Sequence, residues 1–256
     1  MHFAIALLFA SSGLWASQQK VLPTERSSHT MVLRQVYLNG KGPFRMMVDT
    51  GATSCSVRPE IAAHLGANAD YQVDQITASG STRTAAMHVQ VRVDDISDES
   101  VEVLVSNVAI TGVDGVLGQT WLSRHSYLLD FHNLRFVLDS EPPEHGLRMG
   151  LRWADGRPGI SARVDGVAQD LIIDSGAAAL VLFRPRKGID RTNLITNQGS
   201  VAATLGTAIV QIGQGFKRSI RTAELDQPYA VGLLPASAFR SVYVSNRSGL
   251  IVLVPR

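Results

Sequence analysis

The sequence predicts an all-β protein in which one unit is written twice. Three observations carry this. Val, Ile, Thr and Gly recur in short runs separated by turn residues, aromatic content is only 6%, and no long helical pattern dominates. The tripeptide Asp-[Thr/Ser]-Gly occurs as Asp49-Thr50-Gly51 and again as Asp174-Ser175-Gly176, each time after three apolar residues. A chain of average composition and this length would hold roughly 0.1 such tripeptides, so two in matching surroundings mark a repeat. The later segments match as well: Gly115-Val116-Leu117 aligns with Gly232-Leu233-Leu234, and Leu122 with Phe239.

In chain order, Phe3 to Ala10 is an apolar run followed by small residues, with no Lys or Arg before Lys20. Residues 1–20 are expected to be a leader for export, to the periplasm or beyond, leaving no stable membrane association once removed. The absent basic residue near the start departs from that pattern, and a retained membrane anchor or a mis-assigned start are the other readings. Val36 to Ala52 then reads as strand, Gly-containing turn, strand and Asp49, and Ala162 to Ala177 repeats that order up to Asp174. Tyr71 to Val93 alternates about a tight Ser79-Gly80-Ser81 turn, and Leu194 to Ile212 offers a similar turn at Gly199. Strand ends before Gln119 and Ala236 each suit a following short helix. Asp139 to Gly146, with adjacent Pro142 and Pro143, reads as a linker between halves spanning 21–141 and 142–256. The spacings 49 to 115 and 174 to 232 differ by no more than surface loops absorb.

Composition narrows the function. Hydrophobic residues make up 45% of 256, enough for a packed core, and 24 basic residues are scattered among 22 acidic ones for a net charge of +2. Without a basic block, nucleic acid is not expected as a partner. Cys55 is the single cysteine, so no intrachain disulfide can form. A Cys nucleophile would need an electropositive setting with a His partner, whereas Cys55 lies in an apolar-alternating strand and reads as a small buried hydrophobe. The seven histidines show no HExxH and no pairing with cysteines, and neither GxSxG nor GxxxxGK occurs. No metal and no cofactor is expected.

Asp49-Thr50-Gly51-Ala52, Asp174-Ser175-Gly176-Ala177, Val116-Leu117-Gly118 and its imperfect partner Leu233-Leu234-Pro235 resemble the aspartic protease superfamily, closest in style to bacterial retropepsin-like proteins. The resemblance spans roughly residues 31 to 256. It implies a bilobed acid-protease fold of two pseudo-twofold-related β-barrel lobes with short helices, each lobe supplying one aspartate to a shared cleft. Viral retropepsins dimerise a single lobe; two turns in one chain imply an internal pair and a monomer. Asp49 and Asp174 are then the catalytic residues, supported by Thr50, Gly51, Ala52, Ser175, Gly176 and Ala177, with Ser79, Gly80 and Ser81 on a hairpin placed like the family's flap over substrate.

The chemistry explains why the motif must occur twice. Two adjacent carboxylates cannot both ionise cheaply, so they share one proton. One then accepts a proton from water while the other donates to the scissile carbonyl of a peptide or protein substrate, with no covalent intermediate. Pro235 in place of a glycine, and Ala178-Ala179-Leu180 against Thr53-Ser54-Cys55, make the second half the less regular copy. The alternative is a peptide-binding relative that keeps the cleft without hydrolysis.

Overall fold

The computed structural model describes residues 20–256 apart from 23, 28, 67–68, 78–79, 109, 185–190, 197–198 and 228–230. The first eleven strands are β1 (Lys20–Leu22), β2 (Thr24–Ser27), β3 (Thr30–Leu38), β4 (Lys41–Val48), β5 (Cys55–Val57), β6 (Tyr71–Thr77), β7 (Gly80–Val93), β8 (Ile96–Val105), β9 (Gly115–Leu117), β10 (Ser126–Asp130) and β11 (Arg135–Leu138). Helix α1 (Pro59–Leu65) follows β5 and α2 (Gln119–Leu122) follows β9. The series then repeats as β12 (Leu147–Gly150), β13 (Arg152–Ala154), β14 (Arg157–Val164), β15 (Val167–Asp174), β16 (Leu180–Phe183), β17 (Arg191–Thr196), β18 (Gly199–Ile212), β19 (Phe216–Leu225), β20 (Gly232–Pro235), β21 (Phe239–Ser245) and β22 (Leu250–Pro255). Residues 1–19 of the expected leader lie outside the described residues, and among the described residues no helix is long and apolar enough to cross a membrane.

The hairpins that carry the aspartates close through Asn39-Gly40, with φ of 47° and 73°, and Asp165-Gly166, with φ of 51° and 85°. Two successive left-handed residues match the right-handed twist of the flanking strands, and Asn-Gly and Asp-Gly enter that turn at least cost. Beyond the turns, β4 and β15 lie parallel to β9 and β20, with Val48 opposite Leu117 and Asp174 opposite Pro235. Strands covered on both faces carry continuous apolar runs, which accounts for Met46-Met47-Val48 and Leu171-Ile172-Ile173 being buried without alternation.

Each half curls into a ring. The orders are β2-β3-β4-β9-β5-β8-β7-β6, closed by β3 on β7, and β13-β14-β15-β20-β16-β19-β18-β17, closed by β14 on β18. A third sheet, β1-β11-β10-β21-β22-β12, takes three strands from each half and reads the same from either edge. Its central antiparallel pair runs from Ser126 opposite Ser245 to Asp130 opposite Ser241. A pseudo-twofold axis therefore passes between β10 and β21 and turns the two aspartate hairpins toward each other. Trp121, Tyr127, Phe136 and Phe239 are fully buried around this sheet, and Phe239 stacks on Phe216 with centroids 4.9 Å apart.

One local expectation needs correction. Of the turn expected at Ser79-Gly80-Ser81, Gly80 and Ser81 belong instead to β7, because Gly80 pairs with Thr77 and Ser81 with Ile76. Ser79 itself lies outside the described residues. The two expected short helices are both present and differ in kind: α2 is α-helical, whereas Ala236–Ala238 is a single 3-10 turn. In the second half β21 begins at Phe239, directly after the turn, so the chain is drawn into the central sheet before an α-helical turn can close.

Candidate active site

Asp49 and Asp174 stand where β4 and β15 reach the lobe interface. The Asp49 N–H donates to Leu117 O at 3.0 Å, which ties the loop start to β9. Each carboxyl is then oriented by its own loop: Gly51 N–H donates to Asp49 Oδ1 at 2.9 Å, and Gly176 and Ala177 N–H donate to Asp174 Oδ1 at 2.7 and 3.0 Å. This is the local turn chemistry of Asp, used here to aim a side chain.

The buried hydroxyls of the next residues lock the loops together. Thr50 Oγ1 donates to Ile173 O at 2.6 Å and accepts the Ser175 N–H at 3.0 Å. Reciprocally, Ser175 Oγ donates to Val48 O at 2.8 Å and accepts the Thr50 N–H at 3.0 Å. Thr50→Val keeps the shape and removes the oxygen, leaving the buried Ser175 N–H without its acceptor and Ile173 O without its donor. At about 1–3 kcal/mol for each orphaned group, the variant should lose roughly 2–5 kcal/mol in chemical denaturation, and Thr50→Ser should recover most of it.

The two glycines permit the close approach. A Cβ added to Gly51 would lie 2.3 Å from Cγ of Asp174, and one on Gly176 would lie 2.8 Å from Cγ of Asp49. Each backbone thus passes directly beside the opposite carboxyl, which brings the two carboxyls together. Burial, followed by the charge of Asp174, pushes Asp49 well above the usual carboxylate range. Burial also raises Asp174, opposed by the Gly176 N–H, by the hydrogen bond from Asp49, by the Ala177 N–H and by the charge of Arg157. Such a pair holds one proton between two carboxyls at mildly acid pH.

A surrounding layer was not apparent in the sequence. Buried Gln119 donates its side-chain amide to Thr50 O at 2.8 Å and its backbone N–H to Ala52 O at 2.9 Å, clamping the first loop from α2. His29 Nε2 donates to Gly176 O at 2.7 Å, and Arg157 Nη1 donates to Gly51 O at 3.4 Å, each reaching the other lobe's loop. Only Gln119 had a local signal, its place directly after Val116-Leu117-Gly118. Ala52 packs against Val32, Met47 and Val116. Gly80 and Ser81 stand at the end of the β6–β7 hairpin, beside exposed Ile76. The second half carries a matching hairpin in β17–β18, closed by Thr196 opposite Gly199.

Cys55 is fully buried, its thiol pushed up by burial and packed against Gly118 O at 3.8 Å. Open surface hollows of about 280 and 410 Å³ flank β13 and β14, where Arg152 and Asp170 pair with one another at 3.6 Å. The interlocked loops are the place where two perturbed titratable groups meet. Among the described residues no group of three or more His, Cys, Asp or Glu is placed to hold a metal ion.

Residues 34–124 match the family model described as gag-polyprotein putative aspartyl protease. This retropepsin-like segment runs from within β3 to just past α2, so it covers the first ring alone and contains Asp49. Asp174 enters through the internal repeat. No curated protein matches the chain.

Proposed function

We propose that the chain is an aspartic endopeptidase in which Asp49 and Asp174 share one proton and activate a water against a peptide bond. The observation that carries this reading is the pair of interlocked loops, which bring the half-buried carboxyl of Asp49 and the buried carboxyl of Asp174 together, one from each half. With a single proton on the pair, one carboxyl donates to the scissile carbonyl oxygen while the other takes a proton from water. The new C–O bond forms as the carbonyl π bond opens; the proton taken from water then goes to the amine nitrogen as the C–N bond breaks. Extended peptide is the natural substrate, since the β6–β7 hairpin offers a strand for addition. Every hydrogen bond of the interlock lies within one chain, which supports a monomeric unit, and the apolar Phe3 to Ala10 run supports export.

Purified protein incubated with a peptide library from pH 3 to 7 should cleave with a bell-shaped dependence. Activity falls at low pH as a second proton joins the pair and at high pH as the last one leaves. Because burial raises both carboxyls, the upper limb should lie above the ordinary carboxylate range. A transition-state-mimicking inhibitor of aspartic proteases should abolish cleavage, and specific activity should stay constant on dilution. Saturable peptide binding with no cleavage at any pH would establish the non-hydrolytic alternative.

A further inference from the structure

The two halves differ in charge. Residues 20–141 carry 10 Lys and Arg against 14 Asp and Glu, a net charge of −4, whereas residues 142–256 carry 14 against 8, a net charge of +6. This difference reappears at one pair of positions that the pseudo-twofold axis relates. In β8, Glu102 precedes Val103, which lies opposite Cys55, six residues after Asp49. In β19, Arg221 precedes Thr222, which lies opposite Leu180, six residues after Asp174. The half-buried Glu102 carboxylate accepts the Ser54 hydroxyl at 3.2 Å and the Tyr71 hydroxyl at 2.7 Å. Thr120 Oγ1 donates to the Glu102 carbonyl and accepts the Cys55 N–H, both at 2.9 Å. The carboxylate is therefore held between the segment that leaves Asp49 and the β6–β7 hairpin, with exposed His88 opposite it on β7. Arg221 is exposed, lies opposite Thr207 and makes no ion pair among the described residues, and exposed Ser219 and Lys217 continue its side of β19.

We propose, resting on the endopeptidase reading above, that Glu102 and Arg221 determine specificity from opposite ends of the inter-lobe cleft, and that the substrate is an extended peptide with a basic side chain on one side of the scissile bond and an acidic one on the other. The axis passes between the two aspartate loops, so a peptide bond attacked there lies on it. Positions that the axis relates then meet substrate residues at equal distances to either side of that bond. Matching charges are attracted at both ends, and a peptide with its charges reversed is repelled at both, which is how a charged site rejects a wrong partner. The net charges of the halves act in the same direction and orient the peptide as it approaches.

The test uses peptides of one sequence that differ only in a pair of residues spaced equally about the cleaved bond: Lys before and Glu after, the reverse, Lys on both sides, or Gln on both sides. At about pH 6, where Lys and Glu in a peptide are both charged, one polarity should exceed its reverse by about tenfold in kcat/KM, the size expected when two exposed ion pairs replace two like-charge contacts. The difference should lie in KM with kcat unchanged, as for binding shared by ground and transition states, and should shrink with added salt. Glu102→Gln keeps the shape and should reduce the preference to about threefold. Arg221→Glu makes both ends acidic, so the polarity preference should vanish and the peptide with Lys on both sides should become the best substrate. Equal cleavage of the two polarities by the parent would overturn the proposal. So would variants that lower kcat/KM alike on every peptide with the polarity preference intact, since that is the mark of scaffolding. Arg221 is exposed, so its variant decides the matter if Glu102→Gln fails to fold. The same peptides are also bound to Asp174→Asn protein and read by fluorescence anisotropy. If the parent cleaves no peptide, the endopeptidase reading fails; a polarity preference in Kd would still uphold the two charged ends, and equal Kd values would overturn them.

Discussion

Asp49→Asn and Asp174→Asn should each lower kcat/KM by about 10³-fold or more, and the double variant should be no worse than either single one. Positioned acid–base groups contribute about 10²–10⁴-fold, and groups that act as one unit are not additive when removed. Stability should move the other way. Both carboxyls are raised in the folded protein, so the folded state binds protons more tightly than the unfolded chain. Their contribution is fully present below the unfolded carboxylate pKa and is lost as pH rises through the raised folded values. Near neutral pH each single variant should therefore melt at or above the parent, and the parent should lose stability more steeply than either single variant between about pH 4 and the upper pKa of the pair. Kinetics on one cleavable peptide and thermal midpoints at several pH values, measured on all four proteins, check both halves. Substantial hydrolysis in a folded single variant would leave the interlocked loops as structure alone.

Gly51→Ala should be strongly disruptive for both stability and turnover. Its Cβ would fall 2.3 Å from Cγ and within 2.6 Å of both oxygens of Asp174. That side chain cannot swing aside, because Gly176 and Ala177 N–H groups hold its Oδ1. The lobes must part locally and loosen the Thr50–Ser175 interlock. Overpacking alone costs about 1–3 kcal/mol, and the weakened buried hydrogen bonds add about 1–3 kcal/mol more. Displacement of the carboxyls by as little as ~1 Å should lower kcat/KM by about 10²-fold. Gly176→Ala meets Asp49 at 2.8 Å and should cost less. Neither glycine has a left-handed φ, so steric overlap is the cause, and combining Gly51→Ala with Asp174→Ala should recover much of the lost stability. Denaturation midpoints of the single and double variants measure that recovery; a Gly51→Ala protein as stable as the parent would mean the loops are not apposed.

The parts of this molecule that could be read from the chain are those written in neighbouring residues. Asn39-Gly40 and Asp165-Gly166 dictate hairpins through their own backbone preferences, and the apolar triplets before Asp49 and Asp174 announce strands covered on both sides. Repetition of those local phrases revealed the duplication. The turn expected near Ser79 takes in Gly80 and Ser81 of β7, because a glycine suits the first position of a strand as readily as a turn. The unequal helices after Gly118 and Pro235 depend on where β10 and β21 begin, and those strands pair with each other across more than a hundred residues. No local signal encodes that pairing. The same holds for His29 and Arg157: each is ordinary in its own segment and gains meaning only when the central sheet turns one lobe onto the other. Local backbone preference thus wrote the two aspartate turns into the sequence. Their meeting arises from contacts between distant residues that exist only once the core has closed.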